Sequence, residues 1–184
     1  MIRAVLWVSV VIAYTLFLPD VVRAQSMEGV RSAYVEGSFF EAAERGAALK
    51  TSEGYAFAAR SMAMQGFYFA RGKEKQALFQ RAVELAEEAL RLDGGNPEAH
   101  IQLAHAVGRY AQTLGFVRAV TGGYAKKVLR SVEEALRLDP NKPGAHLSMA
   151  TWHAHVVNAA GTIAGTIYGA TEKKARGHYD RTLE

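Results

Sequence analysis

Two hydrophobic patterns divide the chain. Ala4 to Leu18 is an almost unbroken apolar run (AVLWVSVVIAYTLFL), whereas from Gln25 to Glu184 Ala, Leu, Glu, Arg and Lys recur at helical spacing, with no alternating stretch long enough for a strand. Apolar residues every three to four positions place one stripe of each helix toward a core, so the second pattern predicts an all-α fold. Within it, Glu87–Ala104 (EEALRLDGGNPEAHIQLA) and Glu133–Ala150 (EEALRLDPNKPGAHLSMA) are identical at eleven of eighteen positions at an offset of 46 residues. This is an internal repeat. Each copy reads as a helix end, a turn and a helix start. Leu90-Arg91-Leu92-Asp93 closes a helix with a basic side chain near its C-terminal dipole, Gly94-Gly95 supplies the turn, and Pro97 opens the next helix where no donor is lost. Asp139-Pro140-Asn141-Lys142-Pro143 repeats the arrangement.

At these residues the sequence resembles the tetratricopeptide repeat family. Ala89-Leu90-x-Leu92-Asp93 and Ala135-Leu136-x-Leu138-Asp139-Pro140 match the end of its unit, and His100…Leu103-Ala104 and His146…Met149-Ala150 match the start. Tyr34-Val35-Glu36-Gly37-Ser38-Phe39-Phe40-Glu41-Ala42 looks like its interhelical turn, and Tyr55…Ala58-Ala59 like another first helix. The resemblance implies a right-handed α-solenoid of antiparallel helix pairs, at about 28–50, 53–92, 97–138 and 143–184, with turns near Gly37, Gly72, Gly122-Gly123 and Gly169. Ordinary units repeat every 34 residues or so, and the period here is 46, so about 12 extra residues are expected to lengthen each helix by roughly 1.7 turns. The long pair, with Ala159-Ala160-Gly161-Thr162-Ile163-Ala164-Gly165-Thr166-Ile167-Tyr168-Gly169 leading into Lys173-Lys174-Ala175, is similar to the branch that includes the regulator of microtubule dynamics proteins. Glu184 falls inside a second helix, before its A-L-x-L-D-P close, so the repeat domain is expected to be truncated at its C-terminal end.

Composition adds exclusions and an address. With 184 residues, 49% apolar, 22% charged and no Cys, the chain suits one folded unit held by packing, without disulfides, thiolate metal sites or a cysteine nucleophile. Met1-Ile2-Arg3, the apolar run, and Pro19 to Ala24 with Val22 and Ala24 at −3 and −1 read as a secretory signal peptide at 1–24, ahead of a repeat domain at 25–184. Fifteen apolar residues fall short of the roughly 20 that span a bilayer. Removing Arg3, Asp20 and Arg23 takes the net charge from +4 to +3, too mild to argue for nucleic acid. The expected location lies across the inner membrane, the periplasm in a Gram-negative cell, with membrane contact at most peripheral. That address offers no microtubules to regulate, so from the branch only the scaffold carries over.

The residues that could carry chemistry are few. Among the six His (His100, His105, His146, His153, His155, His178) there is no HExxH, and His153 and His155, two apart, point to different sides of a helix. His100 and His146 occupy matched repeat positions and are expected to pack, so neither a metal nor another cofactor is expected. Gly161, Gly165 and Gly169, four apart, are expected to form a stripe for close helix packing; Thr121-Gly122-Gly123 lacks the strand and Lys-Ser/Thr of a phosphate loop and reads as a turn. Lys73 with Lys75, Lys126 with Lys127, and Lys173 with Lys174 follow each intrarepeat turn, and stacked repeats would gather them on one anion-attracting edge. By the resemblance, the concave groove presents Glu53, Arg60 and Met64, then Glu98, Ile101, His105 and Arg109, then Leu147, Thr151 and His155, with Arg60, His105, Arg109 and His155 as polar contacts. The expected function is a non-catalytic scaffold that binds another protein or an extended peptide in that groove. The alternative is a small-molecule or lipid carrier with a pocket between lengthened helices, beside the glycine stripe and the Lys edge.

Overall fold

The computed structural model describes residues 26–183. The signal peptide expected at 1–24 lies outside them. The described chain is all-α: α1 (Met27–Val35), α2 (Phe39–Ala48), α3 (Ser52–Tyr68), α4 (Gly72–Leu92), α5 (Pro97–Thr113), α6 (Phe116–Thr121), α7 (Tyr124–Leu138), α8 (Pro143–Ala160), α9 (Ala164–Tyr168) and α10 (Glu172–Asp180), with a single 3-10 turn (Gly161–Ile163) between α8 and α9. No helix among the described residues is long and apolar enough to cross a membrane.

Local chemistry sets most starts. Thr51 Oγ1 accepts from the Gly54 N–H at 3.1 Å, and Asn96 Oδ1 accepts from the Glu98 and Ala99 N–H groups at 2.9 and 3.2 Å. These caps satisfy donors that the first turn of a helix leaves without partners. Pro97 and Pro143 stand at the openings of α5 and α8, where a missing N–H costs nothing.

The helices pack as a solenoid-like stack in which α3, α5 and α8 run parallel, side by side. Their N-terminal ends are tied by Asn96 Nδ2–H donating to Ser52 Oγ at 2.8 Å and by Lys142 Nζ lying 3.7 Å from Glu98. Helices α4, α7 and α10 pack against them on the other side. The seams are made of small residues: Ala58, Ala59, Ala82, Ala86, Ala89 and Ala99 are all but sealed from solvent. One core joins Met62, Leu85, Leu103 and Val107 between α3, α4 and α5, and a second joins Ala104, Val132, Met149, Trp152 and Val156 between α5, α7 and α8. Trp152 buries its ring and satisfies its Nε1–H on the Ala125 carbonyl at 2.8 Å.

Three expectations from sequence change. The extra length of the repeat is not shared between both helices of each unit. In the first full unit it goes into α4, which runs 21 residues; in the next it is spent on α6, a separate six-residue helix after Gly115, whose φ of +81° ends α5. The glycine stripe does not form, because Gly161 at φ +55° ends α8 and Gly169 at φ +65° ends α9, so the three glycines do not share one helix. Positive φ is cheap only for glycine, and here that freedom stops helices. The Lys126-Lys127 pair does not join Lys73 and Lys75 on one edge either. Lys127 pairs with Glu87 at 2.7 Å, and Glu87 lies twelve residues past Lys75 on α4, about 18 Å along the axis at ~1.5 Å per residue. The α6 insertion shifts where α7 begins.

Closest approach occurs between α2 and α3. A methyl built on Gly54 would run into the Gly46 carbonyl, and one on Gly46 would come 2.8 Å from the Gly54 oxygen. Gly54→Ala is therefore expected to destabilise the fold by about 1–3 kcal/mol. Gly108→Ala, inside α5 with Val128 at 3.9 Å, is expected to raise stability by about 0.5–1 kcal/mol. Urea unfolding followed by circular dichroism reads both; equal effects would contradict the packing described.

Candidate functional site

The exposed face of α3, α5 and α8 carries most of the groove residues expected from sequence. Arg60, His105, Arg109, Leu147, Thr151 and His155 are exposed there, and Met64 and Glu98 are half-buried. Ile101 is the exception: at 2% exposure it packs with Ala135 and Ala145 inside a core cluster and cannot touch a partner. An apolar position beside groove residues looks the same in sequence whichever way it turns.

The two arginines are held in place by aromatic rings. The Arg60 guanidinium lies 5.0 Å from the Tyr34 ring centroid and 5.9 Å from that of Phe57, and its Nε–H donates to the Tyr34 hydroxyl at 3.2 Å. Arg109 lies 4.4 Å over the Phe67 ring, which also has Lys75 Nζ at 5.2 Å. Each such contact contributes about 0.5–1 kcal/mol at an exposed site and restricts a long side chain to few rotamers. Neither arginine forms an ion pair among the described residues. Nothing in the sequence places these rings beside the arginines. The only signal was the run Phe67-Tyr68-Phe69 just ahead of the α4 turn, whose three members are all exposed.

His105 sits between the arginines and the start of α8. Ser148 donates its hydroxyl hydrogen to the Gly144 carbonyl at 2.7 Å, so in the 2.9 Å contact with His105 the serine oxygen accepts and the imidazole Nε2 carries hydrogen. The side chain reaches solvent, while its ring is partly enclosed by the surrounding residues. This enclosure lowers its pKa, and Arg109 and Arg60 lower it further, against the opposing pull of Glu98. The carboxylates of the face are already engaged. Glu53 pairs with Arg31 at 2.8 Å, and Glu98 accepts from Gln102 Nε2 at 2.7 Å. The face thus runs from partnered acids at the helix N-termini to cations without acidic partners farther along. Leu147, Thr151 and His155 extend it as exposed side chains on α8.

Of the Lys residues expected on an edge, Lys75 donates to the Phe67 carbonyl at 3.3 Å, Lys127 pairs with Glu87, and Lys174 donates to the Gly169 carbonyl at 3.0 Å. Lys73, Lys126 and Lys173 are not drawn into these contacts. An open hollow of about 390 Å³ lies between α2 and the end of α3, bordered by Phe39, Phe40 and Phe69, and not beside the glycine segment where a carrier pocket was expected.

The matched histidines do the same local task. His100 Nε2 lies 3.0 Å from the Gly94 carbonyl and His146 Nε2 lies 2.9 Å from the Pro140 carbonyl, each six residues upstream. Each ring clasps the turn that precedes its helix. His100 does this half-exposed, His146 buried. No group of three or more His, Asp or Glu among the described residues is arranged to hold a metal ion.

A family model described as regulator of microtubule dynamics protein 1-3 matches residues 46–181, from the end of α2 through α10. No curated protein matches the chain.

His146→Ala removes a buried ring together with the clasp of its turn. It is expected to cost roughly 2–4 kcal/mol. His155→Ala, on the exposed face, should stay within about 0.5 kcal/mol. Chemical denaturation separates the two, and a small loss for the His146 variant would refute its structural role.

Proposed function

Since the chain belongs to the regulator of microtubule dynamics protein 1-3 family, we propose that it is a non-catalytic binding protein that takes an extended segment of another protein along the face of α3, α5 and α8. One observation carries this reading: Arg60 and Arg109 are pre-ordered on aromatic rings, exposed, and without acidic partners among the described residues. Charge held rigid in this way loses little entropy on binding, which favours a partner bearing carboxylates. Three parallel helices packed about 8–10 Å apart offer a path of roughly 16–20 Å. An extended segment of about five or six residues fits that path at ~3.3 Å per residue.

The units are of tetratricopeptide type in this proposal, which rests on the repeated helix-end and helix-start residues. The protein acts outside the cytoplasm, secreted across the inner membrane; the apolar run Ala4 to Leu18 with its small-residue cleavage pattern supports that address. Microtubules, which the family's name invokes, are not carried over. The carrier alternative loses its support with the broken glycine segment.

Affinity capture from envelope extract, with the full chain as bait, tests the reading beside the quadruple variant Arg60→Ala, His105→Ala, Arg109→Ala, His155→Ala. A captured protein should bind the variant at least about tenfold more weakly, and its affinity should fall between 0.05 and 0.5 M salt, as expected for partly exposed charge pairs, on the order of 1.4 kcal/mol per tenfold. Circular dichroism should show equal helicity. Equal retention by both baits would move the interface off this face.

A further inference from the structure

Helix α10 is lightly held. None of its residues is buried, and it packs antiparallel on α8 alone among the helices that make substantial contact with it. What it brings to α8 is His178. That ring lies 5.3 Å, centroid to centroid, from His146 and 6.0 Å from His153, the latter nearly parallel at 22°. His146 and His153 stand seven residues apart on α8, hence on one stripe of the helix, and both are buried.

The hydrogens can be assigned. The Pro140 carbonyl only accepts, so the Nε2 of His146 carries hydrogen, and in the neutral ring Nδ1 is left as a lone pair. The 3.0 Å contact between His146 Nδ1 and His178 Nδ1 therefore needs its hydrogen on His178. One hydrogen serves two nitrogens. A proton added to His178 alone leaves that bond in place, but protonating both rings sets N–H against N–H at the same distance. Beside them the Nδ1 of His153 is buried without a partner.

The charged side chains that act on His178 and His153 are all basic. From α8 the cluster is faced by His146 and His153 themselves, from α10 by Lys174, which acts on His178 and His153, and from just past its end by Arg181, which acts on His178. Tyr168 at the end of α9 lies against Trp152, next to His153. The carboxylates of α10, Glu172 and Asp180, are exposed.

We propose that α10 is a proton-released strap: in mild acid His178 and His153 take up protons, α10 leaves α8, and the stripe His146, Ala150, His153 and Val157 becomes available. The sign follows from the direction in which the docked state moves these groups. Burial first, then His178 and Lys174, hold His153 down from 6.5 to about 4; burial first, then His146, Arg181 and Lys174, lower His178. Above 6.5 docked and released forms bind the same protons. Between 6.5 and about 4 the released form takes up protons that docked His153 and His178 refuse, so docking weakens as pH falls, and the slope levels off below about 4.

Hydrogen exchange by mass spectrometry on the full chain, corrected for the intrinsic rate at each pH, tests this. Protection of α10 relative to α4 should drop at least about tenfold from pH 7.5 to pH 5.0, the equivalent of one unit of pKa difference on one group. His178→Gln keeps an amide donor for His146 and cannot protonate, and His153→Phe keeps the ring packing. The double variant should hold α10 with less than about a twofold pH effect, far below the tenfold per unit a titrating group gives. A wild-type ratio that does not change, or a double variant as pH-sensitive as the wild type, overturns the proposal. Should the double variant fail to hold α10 at pH 7.5, long-range proton–nitrogen NMR of the wild type decides: hydrogen on His146 Nε2 and His178 Nδ1 sustains the strap, and hydrogen on His146 Nδ1 overturns it.

Discussion

The side-by-side contact of α3, α5 and α8 is the constraint on which the rest of the structure rests. Alanine makes it. With Ala58, Ala59, Ala99, Ala104 and Ala106 at the seams, neighbouring backbones approach closely, and α5 is covered on both flanks by different cores. No single helix pair could hide its own apolar stripe. The area each pair buries comes from its neighbours, so stability here belongs to the stack and not to any one unit. The glycines at 46 and 54 extend the same logic to α2, where even a methyl group is too large.

That contact also determines what solvent meets. Because the inner helices are parallel, residues at matching depth line up across them: partnered acids near the starts, then His105, then arginines over rings. Arg109 belongs to α5 and its ring, Phe67, to α3. Arg60 belongs to α3 and its ring, Tyr34, to α1. Each cation is thus ordered by the helix beside it, so loosening the stack would release the charges as well as expose the core. A face built in this way is as rigid as its seams.

Histidine is used twice at one repeat position, with different outcomes. His100 and His146 both clasp the turn six residues upstream. His100 stops there, whereas His146 has its second nitrogen met by His178, because α10 covers α8 at that point. The same residue in the same motif becomes part of a proton-sensitive contact only where a further helix is laid across it.

Much of this was legible in the chain. Capping residues, Pro at helix starts, the 46-residue repeat and the turns at Gly37, Gly72, Gly123 and Gly169 act over a few residues, so the string alone specifies them, and with them an all-α stack of helix pairs. The stops at Gly115 and Gly161 were written there too, as glycines at helix ends, but a periodic apolar pattern continued past them and masked the signal. Three things were decided only by tertiary packing. Ile101 turns inward because Ala135 and Ala145 stand beside it, α7 meets α4 at Glu87 because α6 shifts its start, and Phe67 lies under Arg109 from 42 residues away. Each depends on the distance between helices, which is set by the side chains of the neighbour and is invisible in the periodicity of either helix alone.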